Sequence, residues 1–266
     1  MGIFQYQFIQ NAFIAGSMVA VVAGIVGYFL VTRGLTFAGH ALSHIGFAGA
    51  AGALLLGIDP LFGMLAFTVI AGIGIGALHR DLHEEDINIG IIMMLMLGFG
   101  ALFIALYSGY AEQAYSILFG TILGISRTDV IVTLGFGIAA LIALAIIFRP
   151  LLFSSIDPEV AAARGVPVKA LGVSFLLIVA VAVSMSVQVV GVLLIFTLLV
   201  GPAAVATRLA ARPLAAVALA ITFGLAFTWG GIFAAAMTGW PVAFCIATFA
   251  FAVYLPIRFA TANATR

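Results

Sequence analysis

Two histidines, His40 and His44, have the residue type and spacing that could do chemistry in this chain. They stand in the glycine-rich stretch Gly39–Gly52, GHALSHIGFAGAAG. Four residues make about one helical turn, so in a helix both imidazoles lie on one face. In apolar surroundings such side chains need water, a metal or another polar partner. The stretch therefore predicts either an ion pathway or a polar seam that is hydrogen-bonded to neighbouring helices.

A second histidine pair with the same spacing, His79 and His83, lies in HRDLHEED, the most charged segment of the chain. Imidazoles and carboxylates are suitable metal ligands, so a loose exit or sensing site is one interpretation. Runs of charge are more often solvated faces. We therefore expect His79–Asp86 to be a loop in water, at the cytoplasmic mouth of the protein.

The composition is that of a helical membrane protein. Of the 266 residues, 65% are hydrophobic and 7% are charged, whereas soluble domains carry about 25% charged residues. The apolar runs are continuous, which excludes the alternating pattern of a β-barrel. One cysteine, Cys245, excludes a disulfide framework and a cysteine-rich metal site. We expect one all-α membrane domain over residues 1–266.

The sequence lacks the motifs of several other functions. Its one lysine, Lys169, is not part of a GxxxxGK[ST] phosphate loop, so the chain does not bind ATP by that route. No Ser-His-Asp arrangement or HExxH motif indicates catalysis, and no basic patch indicates nucleic-acid binding. Transport is therefore favoured over covalent chemistry.

At about 20 residues per span, the apolar runs predict eight or nine transmembrane helices. The histidine pair falls in the second. A short run, Ala114–Ile125, is expected to be re-entrant or interfacial, and Gly201-Pro202 predicts a kink or break. The predicted spans are Asn11–Val31, Phe37–Leu56, Leu61–Leu78, Ile87–Tyr107, Asp129–Phe148, either two spans or one span plus a re-entrant piece within Ala170–Leu209, Leu214–Met237 and Val242–Ile257.

Basic residues predict the orientation, because they concentrate on the cytoplasmic side of a membrane protein. With nine spans, all of the 10 basic residues except Arg127 fall on one side. This arrangement puts the amino end outside and the carboxyl end in the cytoplasm.

The segment Asp157–Lys169 predicts a short cytoplasmic helix. Asp157 is a suitable N-cap, Pro158 fits the first turn, and Gly165 is a typical stop signal. Spacing alone leaves two interpretations open, an ordinary connector and a docking element for another subunit.

Three motifs, in this order, carry a family resemblance: GHALSHIGFAGAAG, DPEVAAARGVPV and LLIFTLLVGPAAVATRLA. Together they resemble the permease subunits of the bacterial zinc/manganese-type ABC importers, over about Arg33 to Leu255. The resemblance implies a type II ABC importer-like permease fold in the bacterial cytoplasmic membrane. It also implies a homodimer, two separate ATP-binding subunits in the cytoplasm, and a periplasmic or lipid-anchored metal-binding protein.

The resemblance also implies roles for individual residues. His40 and His44 would hold the transported divalent ion, and no cofactor would be bound permanently. The family's usual aspartate is His40 here, which shifts the expected cargo from manganese toward zinc, with manganese or iron next, because imidazole suits zinc and carboxylate suits manganese. The family's coupling helix to the ATPase would comprise Asp157, Glu159, Arg164 and Gly165.

Three alternatives remain open at the level of sequence. A permease for an iron chelate or cobalamin would normally be longer, with a less ionisable pathway. A secondary transporter driven by an ion gradient would need internal repeats and acidic residues within its spans, and none lies mid-span here. The third alternative is a scaffold protein without transport activity.

Overall fold

The computed structural model describes residues 5–78, 82–107, 117–120 and 122–264, and the regular elements in these ranges are all helical. The predicted all-α fold is therefore confirmed for the described chain. The α-helices are α1 (Gln7–Thr32), α2 (Thr36–Leu55), α3 (Pro60–Leu78), α4 (Leu82–Leu106), α5 (Arg127–Ile156), α6 (Pro158–Ala163), α7 (Val168–Val190), α8 (Val192–Leu209), α9 (Pro213–Thr238) and α10 (Val242–Ala264), and a 3-10 turn covers Ile122–Gly124.

Seven helices of the described chain are long and apolar enough to cross a membrane, namely α1, α4, α5 and α7 to α10. The helices α2 and α3 have 20 and 19 residues, a length of about 30 Å at 1.5 Å per residue. Histidines and glycines make α2 less apolar than its neighbours. The lengths of these nine helices fit the nine-span alternative, in which α2 is the second span.

The basic residues mark one end of the helix bundle. Arg33, between α1 and α2, donates hydrogen bonds to Ser154 and Ser155 near the end of α5. At the other end, Arg127 donates to Gln7. We call these the basic end and the opposite end. The basic end also includes Arg164, Lys169, Arg208, Arg212 and Arg258, as the nine-span orientation predicted.

Helix α2 packs through its glycines. A Cβ atom added at Gly49 would collide with the carbonyl oxygen of Gly63 in α3, and one at Gly52 would lie 3.1 Å from the ring of Phe103 in α4. At about 100° per residue, Gly49 lies roughly 180° around the helix from His40. The glycine face therefore holds α2 against α3 and α4 and leaves the histidine face directed away from them.

The break in the long apolar region falls at Gly191, where φ is +82° and ψ is 163°. The region Ala170–Leu209 therefore forms two helices, α7 and α8. Of the kink or break predicted at Gly201-Pro202, the break is wrong, because α8 continues through Pro202. The backbone of Gly191 lies against that of Gly120, which brings Leu118, Phe119 and Gly120 onto the α7–α8 junction.

Two predicted boundaries need correction. Helix α4 begins at Leu82, so Leu82–Asp86 belongs to a helix rather than to a loop, and its acidic side chains favour a helix amino terminus. Helix α5 continues to Ile156, beyond the predicted end at Phe148. The side chain of Arg149 can extend toward the membrane surface while its backbone stays helical. Residues 79–81 lie outside the described residues.

Candidate metal site and the short helix at the basic end

The imidazole rings of His40 and His44 lie side by side on α2. Their centroids are 4.5 Å apart and their planes are inclined at 81°. Both residues are half-buried. The helical spacing predicted from the sequence is therefore realised, and the two rings are brought together on one face.

The separation of the rings suits a shared metal ion. With Zn–N bonds of about 2.0–2.1 Å and tetrahedral angles, two imidazoles on one ion have centroids about 5 Å apart. The observed 4.5 Å is close to this value.

Aromatic rings flank His40. The ring of Phe196 in α8 lies 4.8 Å from the imidazole, centroid to centroid, and that of Phe37 lies 6.4 Å away. The Nδ1 atom of His40 is buried without a hydrogen-bond partner among the described residues. Ser43, which the polar-seam interpretation could have used, donates to the Gly39 carbonyl of its own helix. A buried polar atom without a partner is unusual, and a water molecule or a bound ion would satisfy it.

The pair supplies two nitrogen donors, and in the described part of the chain no cluster of three or more His, Cys, Asp or Glu side chains surrounds a common point. The second pair, His79 and His83, cannot be compared with it. His79 lies outside the described residues, and of His83 only the helical backbone is described. The proposed weak site at these two histidines therefore stays a prediction.

Helix α6 follows α5 directly at the basic end. The carboxylate of Asp157 accepts a hydrogen bond from the Val160 amide at 3.0 Å, and Pro158 occupies the first turn. At the other terminus, the amide of Gly165 donates to Ala162 and that of Val166 to Ala161. Gly165 has φ +81°, a left-handed conformation that side chains disfavour. The predicted caps are thus the observed ones.

Burial separates the two faces of α6. Ala161 is fully buried, which anchors the helix against α5 and α7. Asp157, Glu159 and Arg164 are exposed. The side chains that the sequence assigned to docking are therefore free to meet another subunit.

Sequence reasoning missed contacts between residues that lie far apart in the chain. Phe196 gave no signal that it would border the histidines. The buried hydroxyls of Thr68 and Ser184 lie 2.9 Å apart and join α3 to α7. Gly72 and Gly76 let α3 pack closely against α7.

Comparison with known proteins identifies the family. Residues 5–261 match the model of the ABC 3 transport family. The chain is 32% identical to the manganese transport system membrane protein MntC of Halalkalibacterium halodurans over 229 residues, which are 86% of this chain and 78% of that protein. It is 34% identical to the manganese import system permease protein ScaB of Streptococcus parasanguinis over 206 residues, which are 77% of this chain and 73% of that protein.

A solved structure has the same fold. A chain of PsaBC from Streptococcus pneumoniae in complex with Fab superposes with a TM-score of 0.86 and 31% sequence identity, over 96% of this chain and 92% of that chain. With its apolar helices, the protein is a multi-pass component of the bacterial inner membrane and a transport subunit rather than an enzyme. The chain belongs to the ABC 3 transport family.

Proposed function

We propose that the chain forms the membrane pathway of an ATP-driven importer for a divalent transition-metal ion, with zinc as the first candidate. It would work as a homodimer with two separate ATP-binding subunits, which contact α6, and with a metal-binding protein at the opposite end. The ion would pass His40 and His44 while the pathway opens to one side of the membrane at a time.

The observation that carries this proposal is the histidine pair on α2. Its two rings are 4.5 Å apart, and the Nδ1 atom of His40 lacks a partner among the described residues. Two imidazole nitrogens without a carboxylate favour zinc, iron, copper or nickel over manganese. A site with few protein ligands also suits transport, because the ion must leave as well as bind.

A homodimer would complete the coordination. If the pathway follows the two-fold axis, each chain contributes two imidazoles, and four nitrogen donors match the tetrahedral preference of zinc. If each histidine pair binds an ion by itself, water molecules would complete the coordination of that ion. The apolar outer faces of α4, α5 and α10 are mostly unburied in the single chain, so they are available to lipid or to the second copy.

Manganese is the second candidate. The relatives MntC and ScaB carry manganese in their names, and about a third of the residues are shared with each. Against this stands His40, which replaces an oxygen donor by a nitrogen donor. Membership of an ABC transport family removes the support for the alternative of an ion-gradient-driven transporter.

Metal uptake by the assembled complex tests the proposal. Proteoliposomes with the permease, its ATP-binding subunit and its metal-binding protein would be supplied separately with zinc, manganese and iron. We expect ATP-dependent zinc uptake that falls at least about tenfold in His40→Ala and in His44→Ala, since each variant loses a metal ligand. Leu55→Ala, at the exposed end of α2, is the matched control. Unchanged uptake and unchanged metal affinity in both histidine variants would contradict the ligand assignment.

A further inference from the structure

Arg33 connects the amino terminus of α2 to the helices on both sides of α6. Its Nη1 atom donates to the hydroxyl of Ser154 at 3.0 Å and to that of Ser155 at 3.2 Å, near the end of α5. A Cβ atom added at Gly172 would lie 4.0 Å from Nη2, so the guanidinium also reaches α7. Helix α6 stands between α5 and α7 in the chain. The side chain of Arg33 therefore contacts both α5 and α7, the helices that flank α6 in the chain.

The donor and acceptor roles in the hydrogen bonds between Arg33 and the two serines are fixed. The hydroxyl of Ser154 donates its hydrogen to the Leu151 carbonyl at 3.0 Å, and that of Ser155 donates to the same carbonyl at 2.6 Å. A hydroxyl has one hydrogen, so both serines are left with lone pairs alone for a neighbour. They can therefore accept hydrogen bonds from Arg33. Rotating either hydroxyl would break its hydrogen bond to the Leu151 carbonyl.

The other side of the link is equally rigid. Arg33 caps α1, the amide of Gly34 donates to the Val31 carbonyl, and that of Leu35 donates to the Leu30 carbonyl at 2.9 Å. Helix α2 begins at Thr36, and His40 follows one turn later. A displacement of the Arg33 backbone must therefore move the amino terminus of α2, since the connecting turn is closed by hydrogen bonds.

Arg33 does not use all of its hydrogen-bond donors within the described residues. Its Nε atom is buried without a partner among the described residues. Burial lowers the pKa of its guanidinium, but arginine stays charged at neutral pH. No carboxylate of the described residues pairs with it, and the two hydroxyls are its hydrogen-bond acceptors. A small cavity of about 50 Å³ adjoins it, lined also by Gly76, Val168 and Lys169.

We propose that Arg33 is the positioning residue that transmits movement of α6 to the histidine-bearing helix α2 through its hydrogen bonds to Ser154 and Ser155. This inference rests on the proposed function. When the ATP-binding subunits shift α6, the end of α5 moves with it, and Arg33 carries the amino terminus of α2 along. Arg33 touches no transported ion. Its effect on transport is exerted through the placement of His40 and His44.

The test measures metal ions transported per ATP hydrolysed, together with the yield of assembled complex. We expect Arg33→Ala to lower this ratio about tenfold, the size typical of a coupling between sites, while hydrolysis by the complex continues. A loss of structure alone would lower uptake and hydrolysis together and leave the ratio unchanged. Arg33→Lys, which keeps a charged donor, should recover part of the ratio. Arg212→Ala, an exposed basic residue at the same end, is the matched control.

The serines test the same link from the other side. We expect Ser154→Ala combined with Ser155→Ala to lower the ratio as Arg33→Ala does, and the triple variant to be no worse, because residues that act through one contact are not additive. A normal ratio in the double serine variant would overturn the proposal, as would additive losses. Wild-type proteoliposomes without any metal uptake would instead contradict the proposed function.

Discussion

The ring of Phe196 in α8 lies 4.8 Å from the imidazole of His40 in α2, with the planes inclined at 66°. This edge-to-face contact is one of the aromatic pairs that stabilise a particular ring orientation. It joins the helix that carries both histidines to a helix from the second half of the chain. Movement of α8 relative to α2 would therefore alter the orientation of His40 directly.

Removing this ring should disturb the histidine pair. We expect Phe196→Ala to weaken metal binding about tenfold, because an edge-to-face pair contributes about 0.5–1.5 kcal/mol and the ring also restricts the imidazole. Metal titration of the purified complex measures the effect. Phe196→Tyr keeps the ring and is the control. Equal affinities for the Ala variant and the wild type would indicate that Phe196 does not orient His40.

The donor atom at position 40 should set the cargo preference. We expect His40→Asp to raise the ratio of manganese uptake to zinc uptake about tenfold, since an oxygen donor replaces a nitrogen donor. Competition between the two metals in proteoliposomes measures this ratio. His44→Asp, which changes the neighbouring ligand, distinguishes a position-specific effect from a general one. An unchanged ratio in His40→Asp would mean that another residue selects the metal.

Close packing of α2 on α3 should tolerate no side chain at Gly49. A Cβ atom there would collide with the Gly63 carbonyl, whereas one at Gly74, on α3, would meet nothing within 4 Å. We expect Gly49→Ala to destabilise the protein by about 1–3 kcal/mol, the usual cost of overpacking, and Gly74→Ala to be nearly neutral. Thermal unfolding in detergent compares the two variants. A similar stability of both would contradict the close approach of the helices.

The amino-terminal cap of α6 should matter for coupling, not only for stability. Asp157→Ala removes the carboxylate that accepts from the Val160 amide, and loss of such a cap costs about 1 kcal/mol. We expect weaker association with the ATP-binding subunit and less transport-linked ATP hydrolysis. Ser126→Ala removes the equivalent cap of α5 at the opposite end and should leave both properties unchanged. Identical behaviour of the two variants would make α6 an ordinary connector.

The left-handed residue that ends α6 provides an independent check. Gly165 has φ +81°, and a Cβ atom there would meet nothing within 4 Å. Gly165→Ala therefore adds backbone strain without a collision, at a cost of about 1 kcal/mol. We expect it to weaken ATPase association in the same direction as Asp157→Ala. Gly135→Ala, in the middle of α5 where an added Cβ atom would also meet nothing within 4 Å, serves as the comparison.

The sequence predicted local features well, because they depend on neighbouring residues. The length of the apolar runs indicated the helices, Asp157 and Gly165 indicated the ends of α6, and the i, i+4 spacing brought His40 and His44 to one face. It failed at α4 and α5, where charged residues that are typical of loops lie inside helices. Helix dipoles and extended basic side chains accommodate such charges, and composition alone does not reveal this.

By itself, then, the sequence determined an all-α membrane protein, its basic end, a histidine pair one turn apart, and a capped short helix. Only the tertiary structure decided which residues border the histidine pair and which contacts connect α2 to the helices that flank α6. The contacts of Phe196 with His40 and of Arg33 with Ser154 and Ser155 unite helices far apart in the chain. Such contacts depend on how the helices pack, and helix packing is set by the whole set of small and large side chains at the interfaces.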